Sequence, residues 1–304
     1  MPATGINDLL GVGIALITAL AWATSTIIIK MIVAKIDIFT LNTIRLWVGS
    51  LLLLMIIGIS GRAGALIDTP LVPFLLVASS GVIAMAVGDT LYMKSLSLID
   101  ASKAFTIAQC SFPIMATIVA VVVLGEAFTW LTAAGAVLVV CGIYLIAAKD
   151  KRTPDPIPTQ TGGPHGVAFA LAAATAWTAA TISIKIGTVA MDAIVAAGIR
   201  IPVAATVLTL LMCSRRLGTV IRPPKHEPRT LAMVVVAGVL TYGVAAVGYV
   251  TAIQMIGAAK TVLVTTTAPM LVLPFSIIFL KERPGGTTVA GVLSCIVGIC
   301  CVAL

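Results

Sequence analysis

Charge is what this sequence is short of. Asp, Glu, Lys and Arg make up 10% of its 304 residues, against about 25% in a soluble globular domain. That is too little polar surface to coat a water-exposed globule, which excludes a cytosolic enzyme, a disordered linker protein and a secreted disulfide scaffold. Histidine is nearly absent, with only His165 and His226, both in loop-like stretches. The six cysteines form no CxxC, and the adjacent Cys300 and Cys301 would make poor joint ligands. No metal site is therefore expected, and the thiols read as reduced packing residues. No GxxxxGKS/T, GxSxG or HExxH stretch occurs. ATP hydrolysis by the chain itself and intramembrane hydrolase or transferase chemistry thus have no machinery, and neither an enzyme nor a cofactor is expected.

What is present is apolar: 60% of the chain, with a mean hydropathy of +1.16. The expected class is an all-α integral membrane protein. The net charge of +8 would raise nucleic acid as a partner in a soluble protein. Here the basic residues lie mostly between apolar runs, where they set topology and meet lipid headgroups, so no nucleic acid is expected.

A membrane-spanning helix needs about 20 mostly apolar residues. Charges and prolines divide the chain into ten such runs, near 8–29, 38–59, 71–98, 102–124, 128–147, 165–186, 193–213, 230–256, 260–280 and 287–304. The first reads as a mature helix, since no basic segment precedes it as in a signal peptide. Between the fifth and sixth runs lies AKDKRTPDPIPTQTGGPHG, residues 148–166, with four prolines and three glycines that forbid a continuous helix. It divides the chain into units 1–150 and 151–304, with the linker over about 148–164.

The two units are copies. GVGIALITALAWATSTIIIK (11–30) lies over GVAFALAAATAWTAATISIK (166–185) with 11 of 20 positions identical, and the same offset of 155 pairs Asp37 with Asp192 and Arg45 with Arg200. An offset of 157 pairs Tyr92 with Tyr249, Ala101 with Ala258 and Lys103 with Lys260. One of 156 pairs Pro113 with Pro269, Glu126 with Glu282, Gly135 with Gly291 and Gly142 with Gly298. Five helices per copy is an odd number, so the copies must enter the membrane in opposite senses. Such inverted-topology repeats place a substrate site between the halves in secondary transporters.

These residues also carry a family resemblance. The Trp22 helix ending in Lys30, Arg45, DTLYMKSLSLIDASKAFTI leading to Pro113, LGE at 124–126 and the glycine-spaced fifth helix resemble one EamA-type unit of the drug/metabolite transporter superfamily. GYVTAIQMIGAAKTVLV, Pro269 and LKE at 280–282 repeat the pattern. The resemblance implies a ten-helix secondary transporter of small metabolites, with amino-acid export a common activity among such proteins. It also implies cytoplasmic termini.

An ionised side chain at the bilayer centre costs about 2.5–3.5 kcal/mol on insertion scales, so those retained there are functional candidates. Arg45 and Arg200 could clamp a substrate carboxylate through their planar forks, or serve as structural partners with snorkelling stems. Asp89 is the only carboxylate well inside an apolar run, and its repeat mate is Ala246. It could carry a coupling proton, or pair internally with Arg45 or Lys94. Trp22, Thr26 and Lys30 recur at i, i+4 and i+8, as do Trp177, Thr181 and Lys185. Each set shares one helix face, which could line a cavity or anchor the helix at the interface. Pro113 and Pro269 free the carbonyls of Gln109 and Thr265, and irregular polar backbone at membrane depth points to a cavity. Asn42, Tyr92, Tyr249 and Gln254 are further candidate lining residues. Glu126 and Glu282 stand where an acid favours the N-terminus of the following helix, and the spaced glycines suit close helix packing.

The expected function is a secondary active exporter of small metabolites such as amino acids, working by alternating access around a central cavity and coupled to protons. The alternative is a passive channel or a scramblase. The expected partners are a small-molecule substrate, membrane lipids and protons. The expected setting is the cell (inner) membrane with both termini on one side. By charge, thirteen Lys or Arg opposite the termini face three beside them. The positive-inside rule puts the termini outside, against the orientation the resemblance implies.

Overall fold

The computed structural model describes residues 3–32, 36, 38–96, 98, 101–126, 129–147, 163–214, 228–267 and 286–303. Every element among them is helical: α1 (Ala3–Ile32), α2 (Ile38–Ile59), α3 (Ala63–Ile67), α4 (Leu71–Gly81), α5 (Asp89–Leu96), α6 (Ala101–Leu124), α7 (Trp130–Ala147), α8 (Gly163–Gly187), α9 (Ala193–Ser214), α10 (Pro228–Gly238), α11 (Ala245–Thr265) and α12 (Gly286–Ala303). Two π-helical stretches, π1 (Val82–Gly88) and π2 (Val239–Val244), join α4 to α5 and α10 to α11. Among the described residues, six helical stretches are long and apolar enough to cross a membrane: Ile6–Ser25, Phe39–Ile59, Leu71–Tyr92, Pro164–Gly187, Ala193–Cys213 and Pro228–Thr265. Ser111–Leu124, Trp130–Gly142 and Val289–Gly298 are shorter apolar helices.

In lipid every backbone polar group must be satisfied within the protein, and a helix does this locally. The hydroxyls follow the same logic by bonding back one turn: Thr18 to the Ile14 carbonyl at 2.9 Å, Ser50 to Leu46 at 2.7 Å and Thr90 to Ala86 at 2.6 Å. The expected eighth run and the described beginning of the ninth form one stretch, Pro228–Thr265. It breaks at Gly257, whose φ of +81° leaves the helical region. That break falls between the expected run ends at 256 and 260.

The halves pack into each other rather than side by side. Helix α1 lies on α11, α8 on α4, π1 and α5, α2 on α9 and π2, and α9 on α4 and π1. The contacts recur with the halves exchanged. A Cβ on Gly81 would overlap the Arg200 carbonyl, and one on Gly238 would stand 3.0 Å from the Arg45 carbonyl. Glycine is what lets α4 and α10 approach those backbones. Helices α7 and α12 do likewise through the spaced glycines: a Cβ on Gly142 would meet the Gly291 carbonyl at 2.6 Å, and one on Gly298 the Gly135 carbonyl at 2.8 Å.

Candidate functional site

Asp89 opens α5 directly after the π1 stretch. A π-helical turn re-aims the residues that follow it and is common at functional sites. The Asp89 carboxylate accepts a hydrogen bond at 3.0 Å from the indole Nε1 of Trp177 on α8. None of the described ion pairs involves Asp89, and Lys94 is exposed. Asp89 does lie within electrostatic reach of both Arg45 and Arg200.

Aromatic rings surround this acid. Tyr92 packs on Trp177 with ring centres 5.5 Å apart, and Phe112 meets the same indole edge-on at 6.0 Å. With the halves exchanged, Trp22 packs on Tyr249 at 5.4 Å. The stripe on α8 is put to use along its length. Trp177 reaches Asp89, the Thr181 hydroxyl shares a hydrogen bond of 2.8 Å with that of Tyr249, and Lys185 reaches the end of the bundle. Of its counterpart on α1, Trp22 is described, whereas the side chains of Thr26 and Lys30 lie outside the described residues.

Arg45 is engaged. Its Nη2 donates to Thr241 at 2.8 Å, Thr241 donates to Ser25 at 2.7 Å, and Ser25 donates to the Ala237 carbonyl at 3.2 Å. The guanidinium also sits 5.1 Å over the ring of Tyr242, whose hydroxyl donates to the buried Asn42 at 2.7 Å. Arg200 is only 6% exposed, and its Nε is enclosed without a hydrogen-bond partner. Two residues on, Pro202 interrupts α9, removing the bond to the Gly198 carbonyl.

At one end of the bundle the charges join the halves. Arg62 pairs with Asp192 at 3.8 Å, Lys185 with Glu126 at 3.6 Å and Lys260 with Asp8 at 3.3 Å, so every described ion pair crosses between the repeats. The expected role of Glu126 is corrected here. Its carboxylate accepts from the Ala258 and Ala259 amides at 2.8 and 3.0 Å, capping the helical segment that restarts after Gly257 in the other half. The N-terminus of α7 is capped instead by Thr129, which accepts from the Thr132 amide at 3.1 Å. Lys185 donates to the Ile253 carbonyl at 3.2 Å, so an acid meets the free amides of the break and a base its free carbonyls, as the helix dipole favours.

The structure thus gathers Asp89, Tyr92, Trp177, Thr181, Tyr249 and Trp22 in linked contacts, with both arginines nearby. Gln254 stands apart: it is exposed and its amide donates to the Thr188 and Met191 carbonyls at 2.9 and 2.7 Å, bracing the α8–α9 turn. Thr265 is buried at the end of α11 and bonds back to Thr261 at 2.8 Å. Pro113 is buried within α6. Pro269, Glu282 and the Gln109 side chain lie outside the described residues. Sequence reasoning missed Ser25, Thr241, Tyr242 and Phe112, which look ordinary in apolar helices. It also missed Pro202, which a search for prolines beside buried charges would have found.

Comparison with known proteins agrees with this architecture. The EamA-like transporter family matches residues 9–148 and again 164–304. A protein of Archaeoglobus fulgidus described as an uncharacterized transporter is 24% identical over 285 residues, covering 94% of this chain and 95% of its own. An uncharacterized transporter of Clostridium kluyveri is 28% identical over 157 residues, 50% of this chain and 48% of its own. A solved crystal structure, 16% identical, superposes with a TM-score of 0.78 over 96% of this chain and 95% of that one, a likeness of fold.

Proposed function

The chain belongs to the EamA-like transporter family and is a multi-pass membrane transporter; from that premise we propose that it is a secondary active exporter of small metabolites such as amino acids. In this reading ten helices form two five-helix repeats of opposite topology in the cell (inner) membrane, with both termini on one side, and the substrate binds between the repeats.

The observation that carries the reading is the exchange of aromatic contacts: Trp177 of the second half on Asp89 and Tyr92 of the first, and Trp22 of the first on Tyr249 of the second. A site made by both halves changes access when one half rocks against the other. The three ion pairs and the Glu126 cap bridge the halves at one end, so this conformation holds that end together and the opposite conformation must release it. Asp89, the one acid at the centre, is the coupling group in this scheme.

Counterflow in proteoliposomes tests the proposal. Saturable flux stimulated by substrate on the far side supports a carrier, whereas unsaturable flux without such stimulation would make it a channel or a scramblase. Asp89→Asn is expected to abolish pH-driven uptake while leaving counterflow, and full pH-driven uptake in that variant would remove Asp89 from the coupling. A reporter fused after Leu304 that is active only in the cytoplasm decides the orientation.

A further inference from the structure

The two matched arginines do not live in matched surroundings. Arg45 is served by Thr241, Ser25, Tyr242 and Asn42. The repeat offsets of 155 and 157 carry those positions onto Ala84, Ala180, Met85 and Ala197. All four belong to one buried apolar cluster. The register is supported by the structure itself, because π1 and π2 begin 157 residues apart and Gly81 and Gly238 make exchanged contacts with Arg200 and Arg45. Each polar residue around Arg45, two from either half, is matched at the exchanged position by an alkyl or thioether group.

A buried cation without a partner is costly, and proteins keep such groups paired. The Nε of both arginines is enclosed and unbonded, but Arg45 donates to Thr241 through Nη2, whereas among the described residues no group accepts a hydrogen bond from the Arg200 guanidinium. The charge count points the same way. Arg45 and Arg200 face one acid, Asp89, which is held by Trp177 and makes no ion pair with either. One positive charge is left over. What would complete the site is an anion with two oxygens to match the guanidinium fork, carried on a flat apolar body suited to the rings of Trp177, Tyr92 and Phe112.

Building on the transport reading above, we propose that Arg200 is the docking point for a substrate carboxylate, and that Arg45, its copy, braces the structure instead. The site selects organic carboxylates over organic cations of the same size.

The test uses the full-length protein in nanodiscs, with intrinsic tryptophan fluorescence reporting on Trp22 and Trp177 during titration with phenylacetate or phenethylamine. The wild type is expected to bind phenylacetate at least about tenfold more tightly than the amine, the size of one charge-assisted hydrogen bond. Arg200→Gln removes that preference. Arg200→Lys, which keeps the charge without the fork, retains part of it and guards against a folding failure in the glutamine variant. Arg45→Gln lowers thermal stability and alters both titrations alike. Equal or tighter binding of the amine, no binding of phenylacetate, or a preference lost in Arg45→Gln but kept in Arg200→Gln overturns the assignment. Counterflow with the same preparations reads the transport proposal separately: flux without carboxylate preference sinks only the assignment of Arg200, and Arg200-dependent binding without flux sinks only the transporter mechanism.

Discussion

Trp177 is the side chain on which the centre turns. Its indole N–H is the donor to Asp89, its ring is packed by Tyr92 and Phe112, and a Cβ on Gly88 would come within 2.8 Å of it. Trp177→Phe keeps the packing but strips the Asp89 carboxylate of its donor, and an unsatisfied acceptor in such surroundings costs about 1–3 kcal/mol. Thermal unfolding in detergent of Trp177→Phe, Asp89→Leu and the double variant checks this. The two losses should couple by at least about 0.5 kcal/mol, and strict additivity would mean that the hydrogen bond contributes nothing. Asp89, Trp177 and the arginines were legible in the sequence because charge and indole are rare in apolar runs and costly there. Ser25 and Thr241 were not, because a hydroxyl in such a helix satisfies itself on the preceding turn in most places. Only a neighbour from the other half reveals a second role.

At the scale of the element, the break in α11 is set by three residues from three places in the chain. Gly257 takes a φ of +81°, Glu126 caps the amides beyond it, and Lys185 binds a carbonyl before it. Gly257→Ala meets two penalties. Its φ of +81° and ψ of 169° fall in a region essentially reserved for glycine, which costs a residue with a Cβ about 1–3 kcal/mol, and that Cβ would stand 2.8–2.9 Å from the Glu126 carboxylate. Its unfolding temperature is expected to fall clearly below that of Gly13→Ala, where a Cβ would meet nothing within 4 Å. Equal behaviour of the two would show that the cap and the turn tolerate rearrangement. The boundary between the eighth and ninth runs was readable from the hydropathy lapse around Gly257 and Lys260. The capping acid was not, since it comes from 131 residues away in the sequence, as Glu126 against Gly257.

Across the whole molecule, the described ion pairs all join one repeat to the other. Each is partly exposed and worth about 0–1 kcal/mol, which is weak enough to be broken in a transport cycle and together enough to bias it. Replacing Arg62 and Lys185 by Gln in a cysteine-free background is expected to raise the reactivity of an Asp8→Cys probe, which itself removes the pair with Lys260, toward an impermeant maleimide. High salt should raise it in the parent as well, because exposed pairs are screened. Unchanged reactivity in both would show that this end is held by packing alone.

By itself the sequence determined the material of the protein. Its helices, its duplication and the few side chains that lipid makes expensive follow from local composition and from comparing the chain with itself. The tertiary structure decided who meets whom: that Trp177 reaches Asp89 across the halves, that Glu126 serves the other repeat's helix, and that Arg45 donates to Thr241 while, among the described residues, its copy Arg200 donates to none. Those outcomes depend on which helices lie side by side and on which faces, and in a duplicated chain two identical residues read the same until their neighbours are known.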